Sequence, residues 1–185
     1  EVHLFSAPLA WWLLRHFGVA PVSILAGGLH AWKAAGLPTE ACLPSLEGGS
    51  FEVHVQPGQV KRLNDVLLTS HEGGAQIIDA RSAARFNAEV DEPRPGLRRG
   101  HIPGSLNVPW NDLVANGRLL DDELLRGVFQ TAGVDISQPV IASCGSGVTA
   151  VVVLAALAQL GNNDATLYDG SWGEWGSRDD LPGVL

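Results

Sequence analysis

The sequence predicts an α/β fold, a parallel, mainly five-stranded sheet with helices on both faces. Two observations carry the prediction. Short apolar runs alternate with longer segments of helical pattern, the order that builds parallel strands joined by crossover helices. Apolar residues make up 45% of the 185 and charged residues 17%, a composition for a packed core rather than for disorder.

Taken in order, residues 10–17 read as an apolar helix stopped by Gly18, and residues 22–25 as a short buried strand. Residues 29–35 read as a helix closed by Gly36 and Pro38. Residues 39–50, with Pro44, Gly48, Gly49 and Ser50, read as a linker. Residues 51–55 are a candidate edge strand, and Pro57 suits the first turn of a helix reaching Ser70. Strands follow at residues 76–80, 106–108, 139–143 and 166–168, with helices at 121–131 and 148–160.

Charge and composition exclude several functions. Twelve Lys and Arg against twenty Asp and Glu leave a net charge of −8, which argues against binding a nucleic-acid backbone. Two cysteines, Cys42 and Cys144, are too few for a disulfide scaffold. The longest apolar run, residues 150–158, is too short to span a bilayer. No two histidines stand four apart and no Cys/His cluster occurs, so no zinc site is expected. The chain opens on Glu1, with neither a Met nor a basic, then apolar leader.

A repeat runs through the chain. Gly27 pairs with Gly170 and Trp32 with Trp175, each pair 143 residues apart. The same offset pairs Gly18 with Gly161, Ala7 with Ala150 and Ser6 with Thr149, and Leu37-Pro38 answers Leu181-Pro182 with one extra residue. A constant offset across a helix–strand–helix stretch points to duplication. Glu1 falls opposite Cys144, and the second repeat has roughly 90 residues before that cysteine, so a two-repeat chain of about 280 residues is expected. The division expected is 1–40, a linker at 41–50, and 51–185.

The catalytic candidate is Cys144. It follows the apolar run Val140-Ile141-Ala142-Ser143 and opens the loop Cys144-Gly145-Ser146-Gly147-Val148-Thr149 ahead of a helix. Ligand chemistry in parallel sheets gathers at the C-terminal ends of strands. Two glycines let the backbone curl so that successive N–H groups point inward, and the helix adds its positive end. A thiol in such a cradle is expected to be acidified. The alternative is a buried structural cysteine, the ordinary fate of the residue; Cys42, in the linker, takes the bland reading. A cysteine phosphatase needs an arginine six residues after the cysteine, where Ala150 stands.

Asp79-Ala80-Arg81, Arg85-Phe86, Gly100-His101-Ile102-Pro103-Gly104-Ser105-Leu106-Asn107, the Cys144 loop and the stretch from Asp169-Gly170 to Trp175 occur in that order. Together they resemble the rhodanese family, and more narrowly its two-domain thiosulfate/3-mercaptopyruvate sulfurtransferases. The resemblance covers nearly the whole chain. It implies a catalytic rhodanese-like domain over residues 51–185. Residues 1–40 would be a truncated remnant of a preceding, inactive rhodanese-like domain, in which an acidic residue commonly replaces the cysteine; Glu1 stands at that place.

The implied activity is transfer of sulfane sulfur from 3-mercaptopyruvate, or thiosulfate, through a Cys144 persulfide to a thiol or cyanide, with no cofactor. Thiosulfate-preferring members carry basic residues after the cysteine; Gly145 and Ser146 here match the mercaptopyruvate type. Arg85 and Arg94 match the two arginines that hold substrate in that branch, and an Arg fork meets both oxygens of a carboxylate. Ser146 would deliver a proton or polarise the keto oxygen, acting in the family with an Asp and a His that would precede Glu1. Backbone N–H groups from Gly145 through Gly147 and Val148 to Thr149 would hold the persulfide.

The implied partners are a small-molecule sulfur donor and a thiol acceptor, such as a thioredoxin-like protein or a low-molecular-weight thiol, with no nucleic acid or membrane. Free thiols fit the cytoplasm, with an organelle the alternative. A second reading is a non-enzymatic rhodanese-like binding module, which usually lacks the cysteine. Asp79 and Arg81 are expected to tie the strand end to nearby loops, and His101 to hydrogen-bond backbone. Trp11, Trp12 and Trp32 read as packing residues. The apolar helix of residues 1–40 is expected to fold against the second unit or against another molecule.

Overall fold

The computed structural model describes Leu4, residues 6–42 and residues 48–185. Its strands are Val60–Lys61 (β1), Gln76–Asp79 (β2), Leu106–Asn107 (β3), Val114–Ala115 (β4), Arg118–Leu119 (β5), Val140–Ser143 (β6) and Thr166–Tyr168 (β7). Five of them form one sheet in the order β1-β7-β6-β2-β3, every pair parallel, while β4 and β5 make a separate antiparallel hairpin. The helices are Ser6–His16 (α1), Gly28–Ala34 (α2), Leu63–Glu72 (α3), Ala83–Phe86 (α4), Asp122–Thr131 (α5), Ala150–Gln159 (α6) and Ser171–Trp175 (α7).

Strand side chains alternate between faces, so neighbouring residues of one strand feed two different cores. Ile78, Val140 and Ala142 pack with Leu125 and Phe129 of α5, with α6, and with Trp12 of α1. Ile77 and Ile141 pack on the opposite face with Val66 of α3 and with Trp172 and Trp175 of α7. The central strand β6 is buried at all four positions. Its C-terminal end, where Cys144 begins, therefore opens at the middle of the sheet.

Helix α6 is apolar all round, and its residues from Ala150 to Leu157 are all buried. Such a helix needs cover on both sides. The sheet covers one side, and α1 lies across the other. The expectation that the N-terminal helix folds against the second unit is met in this way.

Two pairs at the 143-residue offset share a backbone conformation, whereas Gly27 at φ 75° and Gly170 at φ −56° do not. Gly18 after α1 and Gly161 after α6 share a left-handed conformation, at φ 94° and 95°. Gly28 opens α2 at φ 58° and Ser171 opens α7 at φ 51°.

Three sequence expectations are corrected. Residues 22–25 are not a strand, because among the described residues no strand lies beside them to complete a ladder, and Leu25 is exposed. Residues 51–55 are not an edge strand: His54 N–H donates to Phe17 O and Gln56 N–H to His16 O, so the segment caps the C-terminal carbonyls of α1 instead. The close approach explains Gly18, where a Cβ would stand 2.8 Å from His54 O. The helix expected from Pro57 starts at Leu63, because a turn at Pro57-Gly58 leads first into β1, which is the true sheet edge. Asp65 then caps α3 by accepting from Arg62 N–H at 2.8 Å. Elements without a sequence signal are α4, the β4–β5 hairpin, the 3-10 turn Trp110–Leu113 and the short α7. Glu1 and residues 43–47 of the linker lie outside the described residues.

Trp12 ties α1 to the main core with 8% of its surface exposed. Trp12→Ala is expected to cost about 3 kcal/mol, the lower end for a truncated buried aromatic. Urea unfolding of the 185-residue chain checks this; an unchanged midpoint would mean that α1 adds nothing to the core.

Candidate active site

The site is built where β6 ends. Cys144 is buried, with 1% exposed, and its loop turns the chain into α6. Two glycines in the loop have steric reasons. At Gly145 a Cβ would stand 2.8 Å from Arg85 Nη2. At Gly147, with φ 81°, a Cβ would stand 2.7 Å from Asp169 Oδ1.

The loop is fastened from below by α7. Trp172 N–H donates to Cys144 O and Gly173 N–H to Gly145 O, both at 2.9 Å. Ser171 completes the attachment. Its Oγ accepts from Cys144 N–H at 3.0 Å and from Gly147 N–H at 3.1 Å, and donates to Tyr168 O at 2.8 Å. A hydroxyl has one proton and two lone pairs, so this buried group is fully used. Ser171 is also a non-glycine residue with φ 51°, a conformation the surrounding structure must hold in place.

Around the thiol, Ser146 N–H points at Cys144 Sγ from 3.4 Å. Among the described residues the N–H groups of Gly145, Val148 and Thr149 have no protein acceptor. They are free to face a ligand, whereas that of Gly147 is committed to Ser171.

Over the thiol lies a pocket of about 340 Å³. Cys144, Gly145, Ser146, Val148 and Thr149 line it, and so do Arg85 and Arg94. Gly147 shapes the loop without lining the pocket. Arg85 comes from α4 and Arg94 from the loop that follows it. The structure thus brings together residues 50 or more positions apart in the sequence, with Trp110 and Leu97 adding apolar wall.

Behind the pocket runs a buried ionic chain. Arg81 is wholly buried and donates through Nε and Nη2 to the Asp79 carboxylate at 2.6–3.1 Å. It also reaches Gly100 O and Glu92 Oε1, each at 2.8 Å, and its guanidinium lies 4.7 Å from the Trp172 ring centre. Glu92 in turn accepts from Arg85 Nε at 3.2 Å and from Arg85 Nη2 at 2.5 Å. The tying role expected of Asp79 and Arg81 is what these bonds perform. His101 bonds the Phe86 carbonyl through Nδ1 at 2.8 Å and stacks on the Phe86 ring, as a backbone-bonding residue should.

Sequence reasoning did not single out Glu92 or Ser171 as site residues. For Glu92 a signal existed: it sits between two arginines assigned to one ligand, where a carboxylate has to be paired. For Ser171 nothing local marked it, because its partners are 24 and 27 residues away. Among the described residues no cluster of three or more His, Cys, Asp or Glu is placed to hold a metal ion, and no helix is long and apolar enough to cross a membrane. The Tyr168 phenol is pushed well above its ordinary range, first by burial and then by its hydrogen bond to Glu174, which leaves it a neutral structural donor.

The sequence profile of the rhodanese-like domain matches residues 63–178. The chain is 59% identical over 182 residues to 3-mercaptopyruvate sulfurtransferase of Escherichia coli K12, covering 98% of this chain and 65% of that protein. It is 38% identical over 176 residues to the human protein of the same name, covering 95% of this chain and 59% of the relative. The chain therefore spans about three-fifths to two-thirds of the length of these curated relatives. The crystal structure of the 3-mercaptopyruvate sulfotransferase SseA from Escherichia coli matches with a TM-score of 0.81 and 56% identity, over 93% of this chain and 64% of that one. With the sheet order, the cysteine loop and the profile match in agreement, the chain belongs to the rhodanese family.

Proposed function

We propose that this chain carries the sulfur-transfer site of a 3-mercaptopyruvate sulfurtransferase, with Cys144 as nucleophile. The observation that carries the reading is the buried Cys144 thiol, beneath a pocket that also holds Arg85 and Arg94. The 59% identical relative named for that activity supports it.

The chemistry has two steps. The Cys144 thiolate attacks the sulfur of 3-mercaptopyruvate. A sulfur–sulfur bond forms, the carbon–sulfur bond breaks, and its electron pair leaves with pyruvate as the enolate, which then takes up a proton. Ser146, which lines the pocket, supplies that proton or polarises the keto oxygen in this reading. Arg85 and Arg94 hold the substrate carboxylate. The N–H groups of Ser146, Gly145, Val148 and Thr149 hold the outer sulfur of the persulfide. A thiol, or cyanide in an assay, then attacks that outer sulfur and restores the Cys144 thiolate. Thiosulfate is the second donor, and a thioredoxin-like protein or a small thiol the physiological acceptor. Free thiols at Cys42 and Cys144 fit a reducing compartment, the cytoplasm.

Residues 1–40 read as the C-terminal part of a first rhodanese-like unit, residues 41–50 as the linker and residues 51–185 as the catalytic unit. The paired conformations of Gly18 with Gly161 and of Gly28 with Ser171 support that division. Ser171 carries a hydroxyl where the other unit has glycine, and the hydroxyl serves the Cys144 loop.

With cyanide as acceptor, turnover should be faster with 3-mercaptopyruvate than with thiosulfate, and Cys144→Ser should abolish both. Equal or greater turnover with thiosulfate would overturn the donor assignment. Activity surviving in Cys144→Ser would remove the thiol from the mechanism.

Ser171→Gly relieves the positive φ and deletes the hydroxyl. It should cost about 2 kcal/mol, because two buried N–H groups lose their acceptor. It should also lower kcat about tenfold or more, as loosened catalytic geometry does. Stability from urea unfolding and kcat from the cyanide assay check this together; unchanged kcat would make Ser171 a packing residue only.

A further inference from the structure

The charges around the pocket do not cancel, and one buried carboxylate determines by how much. Arg81 is neutralised by Asp79 at its back. Arg85 is neutralised by Glu92, whose side chain is 1% exposed and accepts from both arginines. Arg94 forms no ion pair or hydrogen bond among the described residues, although it lines the same pocket. Leaving out the sulfur itself, three guanidiniums against two carboxylates leave one uncompensated positive charge among the side chains around Cys144.

We propose that Glu92 is a specificity-determining residue, which sets the pocket to prefer a singly charged over a doubly charged sulfur donor. The inference rests on the reading of this pocket as the donor site. A pocket with one spare cation matches a keto-acid carboxylate. A dianion such as thiosulfate brings a second charge, and Glu92 has already cancelled the charge of Arg85, although Arg85 Nη1 can still donate to a carboxylate. Neutral glutamine at position 92 keeps the shape and one acceptor oxygen for Arg85, but raises the spare charge from one to two. Because a dianion feels that added charge twice as strongly as a monoanion, its binding gains more.

The test reads binding without turnover. Alkylation of Cys144 by iodoacetamide is followed while pyruvate, a monoanion, or sulfate, a dianion, is titrated in as protectant. The ratio of the two protection constants is compared between the native chain and its variants. In Glu92→Gln the ratio should move toward sulfate by about tenfold, a unit charge acting across several ångströms of partly screened pocket. Glu92→Asp, which keeps the charge, should leave the ratio as it is.

An unchanged ratio in Glu92→Gln, or equal weakening of both anions, would overturn the proposal. Should Glu92→Gln not fold, the double variant Arg85→Gln/Glu92→Gln removes the pair together and keeps the spare charge at one. It should show the native ratio, and a shift toward sulfate there would also overturn the proposal. A tenfold shift in protection by a chain that transfers no sulfur would support Glu92 while overturning the proposed activity. Protection by neither anion in the native chain would overturn both.

Discussion

A wholly buried guanidinium, that of Arg81, is the constraint on which the rest of this site depends. Taking a charge of that size out of water costs several kcal/mol unless it is paired and hydrogen-bonded. Arg81 meets the condition by drawing four parts of the chain to one point: Asp79 at the end of β2, Glu92 in the loop after α4, the Gly100 carbonyl, and the face of Trp172 on α7. None of these can move far without exposing an unpaired charge. Through Glu92 the same arginine sets where Arg85 stands, and through Trp172 it sets where α7 stands.

Helix α7 then positions Cys144. Its first residues spend their N–H groups on the carbonyls of Cys144 and Gly145, and Ser171 takes two N–H groups of the loop in return. The loop is therefore held by reciprocal hydrogen bonds from one direction, and the N–H groups of Gly145, Val148 and Thr149 keep no protein acceptor among the described residues. The donors bonded to α7 hold the loop in shape, and those left over belong to residues that line the pocket.

One backbone conformation meets different demands at two positions 143 residues apart. Gly28 and Ser171 share a positive φ at the start of a short helix. Glycine takes that conformation at little cost. Serine accepts some strain there and returns a buried hydroxyl that satisfies three partners. Helix α1 has a second task, since it covers the side of α6 that the sheet leaves open, and residues 51–55 close its C-terminus. Helix α1 is thus part of the packing of α6.

The sequence alone determined the parallel α/β class, the repeat at a constant offset and the cysteine at a strand end, each written in local pattern: apolar runs, glycine spacing, a short loop before a helix. The two arginines were singled out only by the family resemblance. Sheet order, the true edge strand and the burial of Arg81 were decided only in the tertiary structure, because they depend on which distant segments compete for the same partners. Residues 51–55 look like a strand but serve the carbonyls of α1, and residues 22–25 have strand composition without a neighbouring strand. Ser171 has the same explanation: its hydroxyl acquires its role from amides 24 and 27 residues away. Glu92 lies nearer to its partners, Arg85 and Arg81 being 7 and 11 residues away, yet only the fold closes both guanidiniums on it.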